Sequence, residues 1–380
     1  MKVLYIEPNF WGKDDFGGDG RSLLDTIHSV KGDVEPSVLF ATKGNMYNMF
    51  VSDGINCYLH PFNSVMAGKR SWKHLLFHPW RTRFGKWFHY ELPCIVYALR
   101  IIRREQIDLI HTNNCLSTLG WTLQRFFKVK HVWHIRENGD SSYLGRPIVG
   151  GRKRIEKYVN QADARIFSSR NCLDNWNPVK KNSYAILDAV RSIDDCCYIK
   201  SKQPYFLFCS HWISEAKGAF VATRAFCLSG LAKEGVHLKM VGRVSNRMNQ
   251  LILSMAGESG CEDSIEFVTL QDDVKPFFAN ALAFVQPSVN EGMGRTTAEA
   301  MFFGCPVIAR GSGGTLDLIK NGETGWLFNT DEECAELMRK VYYTDQEQII
   351  IQAQEFAKEN LSIENYREKL LTVYNTVLGS

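Results

Sequence analysis

Residues 282–304, LAFVQPSVNEGMGRTTAEAMFFG, read as three pieces of structure in direct succession. LAFVQPS is a short apolar run suited to a strand covered on both faces, and TTAEAMFF has strong helical character. Between them Gly292 and Gly294 argue for a sharp turn rather than continuous helix. Strand, glycine loop and helix form the repeating unit of a parallel α/β sheet. The same reading separates two glutamates: Glu291 falls on the loop, and Glu299 lies a turn or so into a helix with free N-terminal amides. Were all the intervening residues helical, the carboxylates would stand about 12 Å apart along the axis. Acid pairs that act across one scissile bond stand roughly 5–9.5 Å apart. The two glutamates therefore read as acceptors for different hydroxyls of one elongated ligand, with helix amides between them for phosphate. Against this stands the plain alternative of a solvated Glu and a helix-surface Glu, because lone spacing matches are common.

Outward from this stretch the pattern repeats. VLYIEP (3–8) is a strand, GKDDFGGDG (12–20) a turn-rich loop, and RSLLDTIHSV (21–30) has helical spacing. LPCIVYALRIIRR (92–104) is an amphipathic helix that leads into the strand IDLIHTN (107–113), with HVWHIRE (131–137) and ARIFSSR (164–170) as further strands. After NWNPVKKNSY (175–184) the rhythm restarts, with YFLFCS, HLKMVG, SIEFVT, LAFVQPS and PVIARG as strands. GAFVATRAFCLSGL, RMNQLILSMA, VKPFFANA, RTTAEAMFFG and TLDLIKNG read as the helices between them. The expected organisation is an N-terminal Rossmann-like domain over 1–197, a second over 198–355, and a C-terminal helix over 356–380 that packs back on the first. The tail from Gln346 reads as two helices broken at Asn360 and Ser362. Ligands of open α/β sheets bind at the C-terminal ends of the strands, so two such domains facing each other would share one cleft.

At 380 residues the chain exceeds the usual size of one hydrophobic core. Eleven cysteines, an odd number without any C-x-x-C pair, read as reduced buried thiols in a cytosolic protein. The N-terminus MKVLYIEPNFWG does not resemble a signal peptide, and no apolar run of about 18 residues is present to span a membrane. There is no D-x-D placed for a metal-bound diphosphate and no His/Cys ligand cluster, so no metal site is expected.

The segment SVNEGMGRTTAEAMFFGCPVIARGSGGTLDLIKNGETGWLF (288–328) resembles the signature of family 4 glycosyltransferases, which have the two-domain GT-B fold. The match includes E-x7-E, the E-G-x-G loop, the E-A-M helix start, G-x-P-V-I-A, Gly313–Gly314 and the closing G-x-x-G-W-L-F. The resemblance implies a retaining transfer from a nucleotide diphosphate sugar, with no obligatory metal and no other cofactor. Glu299 would hold the ribose hydroxyls and Glu291 would lie by the donor sugar, while the backbone of Gly292, Met293, Gly294, Arg295 and Thr296 would approach sugar and phosphate. SEAKGAF (214–220) resembles the E-K-G helix start, so Lys217 would hold the diphosphate. The arginine that family members carry five or six residues earlier is replaced by His211 and Trp212. Either His211 or Arg243 supplies the missing donor, or phosphate binding is weaker than in relatives. FGGDG (16–20) resembles the family's glycine-rich loop, with Gly17 and Gly18 letting backbone approach the donor phosphate and acceptor. His134 in HVWHIRE matches the family's cleft histidine, while His111 reads as structural or acceptor-side. ILDAV (186–190) takes the place of an I-P-N-G-V turn, and its turn geometry is expected to differ.

Residues 68–90, GKRSWKHLLFHPWRTRFGKWFHY, contain six Lys or Arg, three His, seven aromatics and no acid. That mixture suits an anionic membrane interface; a nucleic-acid strand and a packed insertion with a basic rim are the other readings. A membrane patch fits the resemblance best, and nucleic acid is not an expected partner. The expected protein is thus a peripheral enzyme of the cytoplasmic membrane face. It would transfer a hexosyl or related sugar to a glycan or lipid-linked acceptor in surface polysaccharide synthesis. A catalytically silent nucleotide-sugar-binding protein on the same scaffold is the alternative. A dehydrogenase would need G-x-G-x-x-G after its first strand, and FGGDGRS has the wrong spacing.

Overall fold

The computed structural model describes residues 1–8, 18–62, 87–137, 151–289 and 291–379. The chain forms two α/β units, Met1–Ala189 with Tyr366–Ser380, and Val190–Asn365. Gly17 and all but the last four residues of the basic aromatic segment 68–90 lie outside the described residues.

The first unit is built on seven strands: β1 (Lys2–Glu7), β2 (Glu35–Phe40), β3 (Asn56–Leu59), β4 (Leu109–Asn113), β5 (Lys130–Ile135), β6 (Ala164–Phe167) and β7 (Ser183–Ala185). Their order is β3-β2-β1-β4-β5-β6-β7, with every pairing parallel. Residues Val3 to Glu7 of β1 are all buried, as a central parallel strand covered on both faces requires. The helices are α1 (Gly18–Ser29), α2 (Asn45–Ser52), α3 (Leu92–Glu105), α4 (Leu119–Phe127), α5 (Arg152–Val159) and α6 (Arg170–Trp176). Leu4, Ile6 and Ile110 pack with Ala98, Ile101 and Leu123 in one core cluster. Trp133, Ile135 and Phe167 pack with Ile155, Val159 and Trp176 in another.

The second unit carries β8 (Tyr205–Trp212), β9 (His237–Arg243), β10 (Ile265–Val268), β11 (Ala283–Gln286), β12 (Val307–Arg310) and β13 (Trp326–Phe328). The sheet runs β10-β9-β8-β11-β12-β13, again parallel throughout. Its helices are α7 (Ala219–Ser229), α8 (Asn246–Gly257), α9 (Lys275–Asn280), α10 (Arg295–Phe302), α11 (Asp331–Tyr343) and α12 (Glu347–Leu361), and a last helix α13 (Ile363–Leu378) ends the fold. Both sheets are Rossmann-like, and together they are the two parallel-sheet domains of the GT-B fold class. In each, strand order reverses at one point, between β1 and β4 in the first sheet and between β8 and β11 in the second. Such switch points open a crevice at the strand C-termini, where ligands bind.

Four details depart from the sequence reading. The chain passes from one unit to the other after Ala189 rather than after 197, because Val190–Cys197 bonds into the second unit. The Val190 amide donates to Leu361 O (3.0 Å) and the Cys197 amide to Phe302 O (3.1 Å). At the other end α12 stays with the second unit through Ala353, Ala357 and Leu361, and the return to the first unit begins at Tyr366 rather than 356. There the Tyr374 hydroxyl meets His111 Nδ1 at 2.7 Å. TLDLIKNG is not an α-helix: Gly313–Asp317 forms a 3-10 turn that begins at the left-handed Gly313 (φ 60°). Finally, the expectation that all thiols are reduced is corrected, since Cys227 and Cys261 are joined in a disulfide, their Cα atoms 6.3 Å apart.

Among the described residues, no helix is long and apolar enough to cross a membrane.

Candidate functional site

Two parts of the fold bring sequence-predicted residues together. In the second unit they meet at the switch point between β8 and β11. Beyond β8 a short 3-10 turn, Glu215–Lys217, ends at Gly218, whose φ of 80° only glycine adopts without strain. A Cβ at Gly218 would stand 2.7 Å from Pro287 Cγ, so the turn lies tight against the loop that leaves β11. Through this approach the Lys217 ammonium donates to Glu291 Oε1 at 2.7 Å, across 74 residues of sequence. The carboxylate side chain is 13% exposed and the lysine 39%, so the pair sits at the mouth of the site rather than in the core.

The Glu291 loop is held from below. The Gly314 amide donates to Glu291 O at 2.8 Å, and Ser312 Oγ donates to Val289 O at 2.9 Å. Gly314 is so close to the loop that a Cβ would fall 2.0 Å from Gly292 O. The Gly313–Gly314 pair thus lies directly against the E-G-x-G loop, where a side chain at either position would collide with its backbone. Gly294, at φ 94°, is the N-cap of α10 and has no side chain with which to cap it. Gly292, Met293 and Gly294 are buried while Arg295 and Thr296 are half-buried, with Thr296 Oγ1 3.2 Å from Gln286 Nε2 of β11.

Glu299 lies one turn into α10. Its Oε1 accepts from Arg191 Nη2 at 2.8 Å, a partner that no motif marked out. Glu299 also stands close to β8, where burial first and this carboxylate second push the Cys209 thiol up to about 12. At the ends of β8 and β9 the two alternatives for the missing cation come together: Arg243 Nη1 lies 3.5 Å from His211 Nε2, and its guanidinium sits over the Trp212 ring at 5.8 Å. The β8–β9 register shifts between Cys209 and Trp212, and beyond the irregularity Trp212 stands opposite Arg243.

The first unit collects a polar network at its own switch point. Glu7 Oε2, at the end of β1, accepts from Asn113 Nδ2 at 2.6 Å. Asn113 Oδ1 accepts from Arg136 Nε at 2.7 Å, and Arg136 pairs with Asp188. His134 is fully buried, its Nε2 3.3 Å from Asp188 Oδ1 and its ring 5.4 Å from that of His111. Burial, and then the neighbouring Arg136 charge, lower His134 to about 4 despite the opposing pull of Asp188, which leaves it neutral near pH 7. For Arg136, burial opposes the charge but Asp188 and the surrounding acceptors outweigh it and hold the guanidinium protonated. Asp188 is the unexpected member, the residue that stands in ILDAV. Where the resembling family has Asn-Gly, this chain puts a buried acid under Arg136 and His134. Gly18 opens α1, and an added Cβ there would meet nothing within 4 Å.

Residues 198–356 match the family described as Glycosyl transferases group 1. The sulfoquinovosyl transferase of Arabidopsis thaliana is 28% identical over 30% of this chain and 26% of its own length. The N-acetyl-alpha-D-glucosaminyl L-malate synthase of Bacillus anthracis is 26% identical over 76% of this chain and 78% of its own. Alignments to the first curated relatives span only about a quarter to a third of those proteins' lengths. The crystal structure of Anabaena HepE in complex with UDP and glucose superposes with a TM-score of 0.76 at 16% identity, covering 99% of this chain and all of that one.

Proposed function

We propose that this chain, which carries a Glycosyl transferases group 1 domain over residues 198–356, is a retaining glycosyltransferase. It moves a sugar from a nucleotide diphosphate sugar to a hydroxyl of a glycan or lipid-linked acceptor, in surface polysaccharide synthesis. The observation that carries the reading is the Lys217–Glu291 pair, 2.7 Å apart at the switch point of the second sheet. In the reaction the bond from the sugar C1 to the phosphate oxygen breaks and a C1–O bond to the acceptor forms. The acceptor proton ends on the departing phosphate, which leaves as the nucleoside diphosphate.

Negative charge therefore grows on the phosphate, and a fixed cation and backbone amides there lower the barrier. Lys217 is that cation, held in place by Glu291 beside the donor sugar. The N-terminal amides of α10 face the phosphates. Arg243, with His211, takes the role of the missing arginine. Glu299 accepts from the ribose hydroxyls, and Gly17 and Gly18 let the backbone approach the donor phosphate and the acceptor. His134, the expected cleft histidine, is fully buried and acts behind the surface, beside Asp188, rather than on the substrate. Because the chain's own cations neutralise the diphosphate, no metal is obligatory. Glu291 is engaged by Lys217 rather than free to attack C1, which supports a front-face displacement assisted by the leaving phosphate. The enzyme works on the cytoplasmic face of the membrane, which it meets through residues 68–90. UDP-sugars are the first donors to try, since the Anabaena neighbour holds UDP and glucose.

The test is a panel of UDP- and GDP-sugars assayed for free nucleotide. Slow release of nucleotide from one donor is the expected result. Binding without turnover for every donor would replace the transferase with a silent nucleotide-sugar-binding protein.

A further inference from the structure

Arg191 stands 108 residues from the glutamate it contacts and belongs to the short segment that opens the second unit. Its Nη2 donates to Glu299 Oε1 at 2.8 Å, and the centre of its guanidinium lies 5.4 Å from the Phe303 ring centroid. Glu299 and Phe303 are four residues apart, so one planar group lies along a full turn of the same face of α10. The main chain of Arg191 is fixed as well. Val190 N donates to Leu361 O, Ile363 N donates to Arg191 O, both at 3.0 Å, and Arg191 pairs with Ser362 as a parallel bridge. The residue is thus tied at its backbone to the joint between α12 and α13, and at its head to a carboxylate and a ring.

This arrangement constrains Glu299. The terminal torsion of a glutamate is broad and roughly two-fold, so a solvated carboxylate samples many orientations. A bond from a guanidinium fixes one oxygen and leaves the other, with the remaining lone pairs, directed away from the cation. Glu299 keeps 14% side-chain exposure, enough to meet a ligand. Arginine suits the task better than lysine, since its flat head can stack on Phe303 while it bonds sideways.

We propose that Arg191 is a positioning residue for the donor nucleotide, holding Glu299 in the orientation that accepts the ribose hydroxyls. The inference rests on the donor-site reading given above and adds to it a residue of the segment that opens the second unit. A purely structural Arg191, one that only ties residues 190–191 to α10, would affect every nucleotide alike. A positioning Arg191 matters only when the ribose hydroxyls are present to be held.

The experiment is calorimetric titration of the full chain, wild type and Arg191→Gln, with UDP and GDP and with their 2′,3′-dideoxy counterparts. For whichever base binds, Arg191→Gln is expected to weaken the ribonucleotide by roughly tenfold or more, the loss of a charge-assisted hydrogen bond. The dideoxy form is expected to change by less than about twofold. Arg191→Lys, which keeps the charge but not the stacked fork, is expected to recover part of the ribonucleotide affinity, and it carries the same comparison if Arg191→Gln does not fold. Equal weakening of ribo and dideoxy forms, or no weakening of either, overturns the inference and leaves the donor site intact. A wild type that binds neither UDP nor GDP overturns the donor site itself, and this inference with it.

Discussion

Replacing Gly314 by alanine is expected to disable the site without altering any side chain within it. Gly314 follows β12 and donates its amide to Glu291 O at 2.8 Å. An added Cβ would stand 2.0 Å from Gly292 O, 2.6 Å from Gly292 C and 2.8 Å from Met293 Cα. All three are backbone atoms, so no side-chain rotation relieves the clash. Since real Cβ atoms essentially never come within 3.0 Å of such a neighbour, the loop has to retreat by about 1 Å, and a displacement of that size at a reacting centre costs on the order of 100-fold in rate. Overpacking of this kind destabilises by about 1–3 kcal/mol. For a domain of this size each kcal/mol lowers Tm by roughly 2–4 °C. Gly257→Ala at the end of α8 is the control, because its Cβ would meet nothing nearer than the Glu262 carboxylate at 3.8 Å. That variant is expected to stay within about 0.5 kcal/mol of wild type. Nucleotide release from the donor and a thermal melt read the two effects separately. Wild-type turnover and wild-type melting in Gly314→Ala would refute the claim that this glycine positions the Glu291 loop.

Lys217→Met is expected to lower nucleotide release by roughly 100- to 1000-fold, as for other lost transition-state donors, yet cost less than about 1 kcal/mol of stability because the lysine is 39% exposed. A loss of stability without a loss of rate would contradict it. For pH, the buried His131 and His134 are lowered to about 3 and about 4, burial being the first cause in each. Their unfolded counterparts titrate near 6.5, so the unfolded chain binds more protons below that pH. Stability of the first unit should be flat above about pH 6.5 and fall by about 1.4 kcal/mol per pH unit for each histidine down to about pH 4. Denaturant melts across that range check the sign, and rising stability on acidification would count against buried neutral histidines. In flotation with anionic vesicles, replacing the six Lys and Arg of residues 68–90 by Ser should abolish membrane recovery, since each cation near such a surface adds about 1 kcal/mol. Unchanged flotation would remove that segment from the account.

The Gly-marked turn between LAFVQPS and RTTAEAMFF was legible because a short continuous apolar run, β11, gives way to helix-forming residues, α10, and Gly294 needs a positive φ. The tail break was legible too, with α12 ending at Leu361 and α13 starting at Ile363. Strands β2, β3, β7 and β13 were not picked out: β3, β7 and β13 have only three or four residues, and β2 opens with Glu-Pro. Helix α11 was also passed over, although Thr330 and Glu333 form a capping box that could have marked its start. Within the site, Lys217 and Glu291 each stood in a recognisable motif, and so did Glu299. Arg191 and Asp188 did not, because their partners are set by tertiary closure: Arg191 reaches Glu299 only once the segment from Val190 is pinned at Leu361, and Asp188 meets Arg136 only beside the end of β5. The Cys227–Cys261 disulfide was missed for a like reason, since 34 residues separate the pair and no spacing motif announces it.

The central claim is that Lys217 and Glu291 form the reacting end of a nucleotide-sugar site. Its most direct test is the rate of nucleotide release from the best donor by wild type and Glu291→Gln, with donor affinity measured alongside. The account predicts that the wild type releases nucleotide and that Glu291→Gln loses roughly 100-fold or more in rate, with donor binding largely retained. Equal rates in the two proteins, or no release from any nucleotide sugar by the wild type, would contradict it.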